Sequence, residues 1–225
     1  MTSRDGRVGL LGGTFDPVHL GHLAAAEAAA SALSLDRVFL LPSHLPPHKP
    51  AEPRASAFHR FAMVSLAVGA RPGLAASDLE LCGPVPSYTA VTLRALHRQG
   101  LDARWIFFII GTDAFADIAT WHDYPAVLDL AQFVVIARPG YSVDALRARL
   151  PHLAPRMRDV GRPVDPAGAA PPGVHFVQAD TPDISSSALR ARIASGQSVT
   201  GFVPPGVEAH IHRHGLYARG GAPWW

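Results

Sequence analysis

Five short apolar runs punctuate the chain, at 8–11, 37–41, 105–110, 132–137 and 174–178, each rich in branched and aromatic residues. Each is bounded by Gly, Pro or polar positions, which predicts strands buried on both faces, as in a parallel sheet. Between them, stretches at 20–33, 57–68, 88–99, 143–150 and 186–195 predict helices. This alternation predicts an α/β fold: one doubly wound, Rossmann-like domain with a central parallel sheet and helices on both faces. The domain is expected to span 1–219, with 220–225 as a loosely held tail. Residues 151–173 are rich in Pro, Gly, Ala and Arg without a period, and are read as a mobile insertion.

In such a sheet, ligands bind beyond the carboxyl ends of the strands. The loops to watch are therefore 12–18, 43–54, 111–124 and 181–185.

Composition narrows the function classes. The 225 residues are 48% hydrophobic and 17% charged, an ordinary globular balance. Twenty basic against 18 acidic residues leave +2, too small an excess to argue for nucleic acid or an anionic membrane. One cysteine, Cys82, excludes an internal disulfide and suits a reducing compartment; with no histidine nearby in sequence it is read as structural. No apolar run approaches the ~18 residues of a membrane span, and the N-terminus lacks the long apolar core of a signal peptide. A cytoplasmic protein is expected. Lys49 is the only lysine in a chain that otherwise uses arginine.

The stretch LGGTFDPVHLGH at 11–22 carries the first chemistry. Gly12-Gly13-Thr14 connects a strand to a helix, where glycine lets backbone approach an anion and helix-end N–H groups favour phosphate. The spacing is neither GxGxxG nor GxxxxGK[ST], so the ordinary dinucleotide and P-loop readings fail. His19 and His22, three apart at the helix start, share one face. Alone they would be buried imidazoles satisfied by carbonyls; beside a glycine loop they suit phosphate oxygens. Ser185, Ser186 and Ser187 at a later helix start cap orphan N–H groups in the bland reading. Joined to Arg190 they also suit a polyphosphate.

GTFDPVHLGH with a downstream ISSSALR resembles the nucleotidyltransferases marked by HxGH and ISSTxxR-like motifs. Within them the chain resembles the bacterial nicotinate-nucleotide adenylyltransferase family, on PPHK at 46–49, SYTA at 87–90, IGTD at 110–113, TW at 120–121, RPGY at 138–141 and HGLY at 214–217. The resemblance implies that Gly12, Gly13, Thr14 and Phe15 line the ATP phosphate path, with His19, His22 and Arg190 as catalytic groups. It implies that Ile184, Ser185, Ser186 and Ser187 hold the β- and γ-phosphates with Arg190, that Gly111 and Asp113 meet ribose or adenylate, and that Arg138 borders the nucleotide. Ser43, His48, Lys49, Thr89, Ala90, Trp121 and His122 would surround nicotinate mononucleotide. The chain departs from the family at His122, where tyrosine is common, and at Ser43, where some members carry asparagine.

The reaction so implied joins nicotinate mononucleotide to the AMP part of ATP, with Mg²⁺ carried on the phosphates and no protein side chain as its ligand. His210, His212 and His214 offer the best case for a protein-bound metal, but only the first and last share a helix face and two ligands make a poor site. The rivals are a relative with another acceptor, such as nicotinamide mononucleotide or phosphopantetheine, and a non-catalytic nucleotide-binding module. Neither nucleic acid nor membrane is expected as a partner. Trp224-Trp225 could contact another subunit of a homo-oligomer, with fraying as the default.

Overall fold

The computed structural model describes residues 6–46, 53–137, 143–158 and 171–218. Seven strands form one sheet, paired in parallel throughout. They are β1 (Val8–Gly13), β2 (Arg37–Pro42), β3 (Leu74–Ala76), β4 (Ile106–Gly111), β5 (Gln132–Ala137), β6 (Met157–Arg158) and β7 (Val174–Gln178), in the order β3-β2-β1-β4-β5-β7-β6. The helices are α1 (Leu20–Leu33), α2 (Ala57–Val68), α3 (Thr89–Arg98), α4 (Thr112–Ala116), α5 (Val143–Arg149), α6 (Ser186–Ala194) and α7 (Pro205–Arg213). Among the described residues no helix is long and apolar enough to cross a membrane.

Strand side chains alternate between two cores. Leu11, Phe107, Ile109 and Val134 face α1, α2, α6 and α7, whose Leu23, Met63, Leu189 and Ile211 complete one apolar layer. Leu10, Phe108, Ile110 and Phe133 face α3, α4 and α5, which supply Leu93, Phe115 and Leu146. Burial on both faces is why these strands read as unbroken apolar runs. Gly9 sits where the sheet is tightest: a Cβ there would lie 2.8 Å from a Val38 methyl and 2.9 Å from Leu35.

Two strands escaped the sequence pattern, β3 and β6, three and two residues long and both at sheet edges. Within 151–173, Pro151–Arg156 forms a 3-10 turn and Met157 and Arg158 pair with Val174 and His175. The start of this stretch therefore carries structure that its composition hides. Residues 159–170 and the tail 220–225 lie outside the described residues.

A polar pair, His175 and Gln132, is buried in the sheet. His175 Nε2 donates to Gln132 Oε1 at 2.9 Å, and that oxygen also accepts from the Gly173 N–H at 2.8 Å. Burial, with Arg158 nearby, pulls the imidazole down from 6.5 to about 4. The unfolded chain therefore takes up a proton between pH 6.5 and about 4 that the folded chain refuses, so this histidine makes stability fall as pH falls through that window. Other groups titrate there too, so the difference between wild type and His175→Gln isolates the effect. That difference in unfolding free energy, from denaturant melts, should decrease by about 3 kcal/mol from pH 7 to pH 4; a constant difference would show that His175 titrates normally.

Candidate active site

A cleft of about 930 Å³ opens at the carboxyl ends of β1 and β4, where the strand order reverses direction. The glycine pair ends β1. A Cβ on Gly12 would meet the Phe108 ring at 3.3 Å and one on Gly13 the Phe15 ring at 3.0 Å, so packing itself keeps this strand end bare. Phe15 is buried beneath the cleft with φ at 50°, and its ring meets His22 edge-on at 4.9 Å. It shapes the floor and does not line the cavity.

His19 is the extended residue before α1, and its ring stacks on that of His22 at 3.6 Å. His22 Nδ1 accepts the His19 backbone N–H at 3.2 Å. The neutral His22 ring must then carry its proton on Nε2, which makes the far side of the ring a donor. Both histidines line the cleft with Gly12, Gly13 and Thr14.

Across the cleft lies the start of α6, with Ile184, Ser185, Ser186, Ser187 and Arg190 on its wall. Ser185 Oγ accepts the Ala188 N–H at 3.2 Å, and Ser186 Oγ donates to the Pro17 carbonyl at 2.9 Å. The two hydroxyls therefore fasten the helix start in place. Anion donors on this wall are the N–H groups of Ser186 and Ser187, which a helix start leaves without intrahelical acceptors, and the Arg190 guanidinium. Arg190 is aimed by hydrogen bonds to the Asp16 carbonyl at 2.8 Å and to Ser187 Oγ at 3.2 Å.

The remaining wall holds Ser43, Thr89, Gly111, Asp113, Trp121 and His122. Ser43 is buried, and its Oγ has no hydrogen-bond partner among the described residues. Gly111 precedes α4, and a Cβ there would meet nothing within 4 Å. Trp121 stands edge-on to Phe108 at 6.1 Å. The His122 ring stacks on Tyr88 at 4.4 Å. Ala90 is wholly buried as the second residue of α3 and does not line the cavity. His48, Lys49 and Arg138 lie outside the described residues.

Four further groups support the site; Asp16 and Tyr217 stand inside the GTFDPVHLGH and HGLY stretches without a role expected of them, and Arg60 and Glu80 lie in no motif. Arg60 is 1% exposed, and it donates to the carbonyls of Thr14 (2.8 Å), Ser43 (2.6 Å), His44 (3.0 Å) and Ala55 (3.2 Å). Burial pulls its pKa down, while Asp16 and Tyr217 oppose that pull. Asp16 is also buried: Oδ1 accepts from the Ala55 N–H (3.0 Å) and the Tyr217 hydroxyl (2.8 Å), and Oδ2 from the Arg54 N–H (2.8 Å). Tyr217, with φ at 67°, has its phenol pushed up by burial and by Asp16. Glu80 lines the cleft, accepts from Thr92 Oγ1 at 2.9 Å, and is pushed up to about 7 by burial. A signal for Arg60 did exist: it shares its helix stripe with Met63, Val64 and Ala67, all buried.

Residues 10–192 match the cytidylyltransferase-like family. A protein of Roseiflexus sp. (strain RS-1), named "Probable nicotinate-nucleotide adenylyltransferase", is 41% identical over 93% of this chain and 97% of its own. A Plasmodium falciparum nicotinic acid mononucleotide adenylyltransferase, solved in complex with NaAD, superposes with a TM-score of 0.69 over 94% of this chain and 97% of its own at 15% identity. The same protein in complex with APC gives 0.67 at 14% identity, over 93% and 96%. At that identity the two superpositions speak for the fold.

Arg60 generates a prediction. Arg60→Met would leave the carbonyls of both cleft loops without their donor, at a cost of about 3 kcal/mol, or about 6–12 °C in Tm for a chain of this size. Arg60→Lys should recover little of this, since one ammonium cannot reach the same spread of carbonyls. Calorimetry of the two variants checks it, and a Tm within 2 °C of wild type would make the guanidinium dispensable.

Proposed function

Because the chain belongs to the cytidylyltransferase-like family and to the nicotinate-nucleotide adenylyltransferases within it, we propose that this cleft transfers the adenylyl group of ATP to nicotinate mononucleotide. The products are nicotinate adenine dinucleotide and pyrophosphate, and the reaction belongs to NAD biosynthesis. One observation carries the assignment of parts: Arg190 and the α6 start face the glycine–histidine loop across one cavity, with Arg190 bonded to a residue 174 positions earlier.

The nucleophile is the 5′-phosphate of nicotinate mononucleotide, already an anion, so no general base is required. The barrier lies in aligning two mutually repelling anions and in the charge that develops on the leaving pyrophosphate. Gly12 and Gly13 let the triphosphate come close to backbone. The His22 Nε2–H and the neighbouring His19 ring stabilise the α-phosphate as it becomes five-coordinate. Arg190 and the α6 N–H groups hold the β- and γ-phosphates. Gly111, where a side chain would stand in open space, leaves room for the adenylate ribose, with Asp113 beside it. By the family resemblance, Lys49 would meet a substrate phosphate, His48 would belong to the acceptor site and Arg138 would border the nucleotide.

Mg²⁺ would arrive on the phosphates. The carboxylates lining the cleft are Asp16, Glu80 and Asp113, and Asp16 is taken up by backbone and tyrosine donors while Glu80 is half protonated near neutrality, a set that fits a phosphate-borne ion. When bound, the ion withdraws charge from the leaving group.

A turnover assay with ATP and nicotinate mononucleotide tests this reading, since a mere binding module would release no pyrophosphate. His22→Ala should lower kcat by on the order of 10²–10³ with little change in ATP binding; a folded variant as active as wild type removes His22 from the mechanism. The acceptor should also be discriminated. Trp121 gives the pyridine ring an apolar face that acid and amide use equally, so the choice falls to backbone N–H groups around Ala90 and His122. An amide would set its own NH₂ against one of these donors. The acid should therefore be preferred over nicotinamide mononucleotide by at least about a hundredfold in kcat/KM, roughly 2.7 kcal/mol. Comparable turnover of both would mean the pyridine site has been misread.

A further inference from the structure

Away from the cleft, three imidazoles converge between α2 and α7. His210 lies in the last turn of α7, and His214 follows one turn later at its end, so their rings share a face with centroids 4.4 Å apart. His59, in the first turn of α2, completes the group from the opposite helix, with its centroid 5.2 Å from His210 and 4.9 Å from His214. His59 Nδ1 and His210 Nε2 are 3.0 Å apart, and one ring nitrogen from each of the three lies within 4.8 Å of the others. His212, the remaining histidine of that run, is exposed and sits beside Glu208 instead.

We propose that His59, His210 and His214 bind one Zn²⁺ ion that pins α7 to α2. Four-coordinate zinc holds its nitrogens at ~2.0–2.1 Å, which puts neighbouring ligand atoms about 3.3 Å apart. The His59–His210 pair already stands near that spacing, and a side-chain rotation brings in the third. Three imidazoles with no carboxylate among them favour a borderline divalent ion over Mg²⁺ or Ca²⁺, and a water fills the fourth position. All three rings are half-buried between the helices, so the site has walls. Burial also lowers the pKa of His59 and His210, His214 contributing to both, which favours the neutral form that ligates.

The position gives the ion a task. Residue 60, next to one ligand, is the arginine that binds the Thr14 and Ser43 carbonyls. Tyr217, three residues beyond another ligand, holds Asp16. Metal at this place would stiffen both supports of the cleft from behind without touching substrate. It is therefore a stabilising site, separate from any Mg²⁺ that accompanies ATP.

The test uses the full chain without an affinity tag, stripped with EDTA and dialysed, then titrated with ZnSO₄ by calorimetry. Wild type should bind one equivalent with micromolar or tighter affinity, and its Tm should rise by about 5 °C or more at a hundredfold excess over Kd. MgCl₂ should give no such rise. His210→Gln and His214→Gln should each weaken zinc binding at least tenfold and lose the Tm response, while Cys82→Ser behaves as wild type. Without added metal, the two histidine variants should match metal-free wild type in far-UV circular dichroism and, within about twofold, in adenylyl-transfer rate, which shows that they are folded. Co²⁺ in place of zinc should give the intense visible bands of a four-coordinate site in wild type alone. Wild type and His210→Gln binding zinc equally, or wild type binding none, would overturn the proposal and leave a hydrogen-bonded imidazole cluster.

Discussion

The site is held open by one buried guanidinium. Arg60 ties together the carbonyls of Thr14, Ser43, His44 and Ala55, which belong to loops from two strands and to the approach to α2. A buried cation is costly unless its donors are matched, and here backbone oxygens match them with the Asp16 carboxylate nearby. Phe15, Val18 and Ala55 anchor these loops in the core, while their carbonyls converge on the guanidinium. Without a central donor they would separate into solvent, and the glycine turn would lose its shape. The sheet supplies a floor, and Arg60 supplies the walls.

Electrostatics around the cleft favour anions by subtraction as much as by addition. The strand ends lead into the N-termini of α1, α4 and α6, each with N–H groups pointing outward. Two of the three cleft carboxylates are restrained in their charge or direction, and Asp113 is the third. Asp16 is buried under donors, and Glu80, pushed to about 7 by its surroundings, carries about half a charge at neutral pH. Glu80 and His175 also act on stability in opposite senses. The unfolded chain releases Glu80's proton as pH rises from 4.5 towards 7, which lowers stability with pH, whereas His175 raises it over nearly the same interval. Over that interval their two contributions oppose each other.

What could be read from the sequence was local. β5, β7, α1 and α2 have the bounds their periodicity predicts, because each is an uninterrupted pattern of at least five residues. β3, β6 and α4 are too short for a period to emerge, and their existence depends on a neighbour that offers a free edge or a loop that needs a turn. The two motifs that line the cleft were legible as motifs for the same reason, since GGTFDPVHLGH and ISSSALR each fold as one turn into a helix. The supporting roles of Asp16, Arg60, Glu80 and Tyr217 were not, although Asp16 and Tyr217 stand inside quoted motifs, because their partners lie elsewhere along the chain. Asp16 looks like a turn residue until Tyr217 arrives from 201 positions away. His210 and His214 announced a shared helix face, but nothing near them in sequence announced His59.

That long reach ties the cleft to residues far along the chain. In the proposed reaction the barrier is positional, so freedom in the phosphate cradle would return directly as lost rate. The cradle is assembled from the first strand, the β2 loop and the sixth helix, and Asp16 is the point at which they meet. Its carbonyl aims Arg190, its Oδ2 accepts the Arg54 amide, and its Oδ1 accepts both the Ala55 amide and the Tyr217 hydroxyl. The tyrosine comes from the last described turn of the chain, held there by α7 packing on α2. The C-terminal segment therefore completes the first loop, and loosening α7 should be felt at the phosphates even though none of its residues lines the cleft.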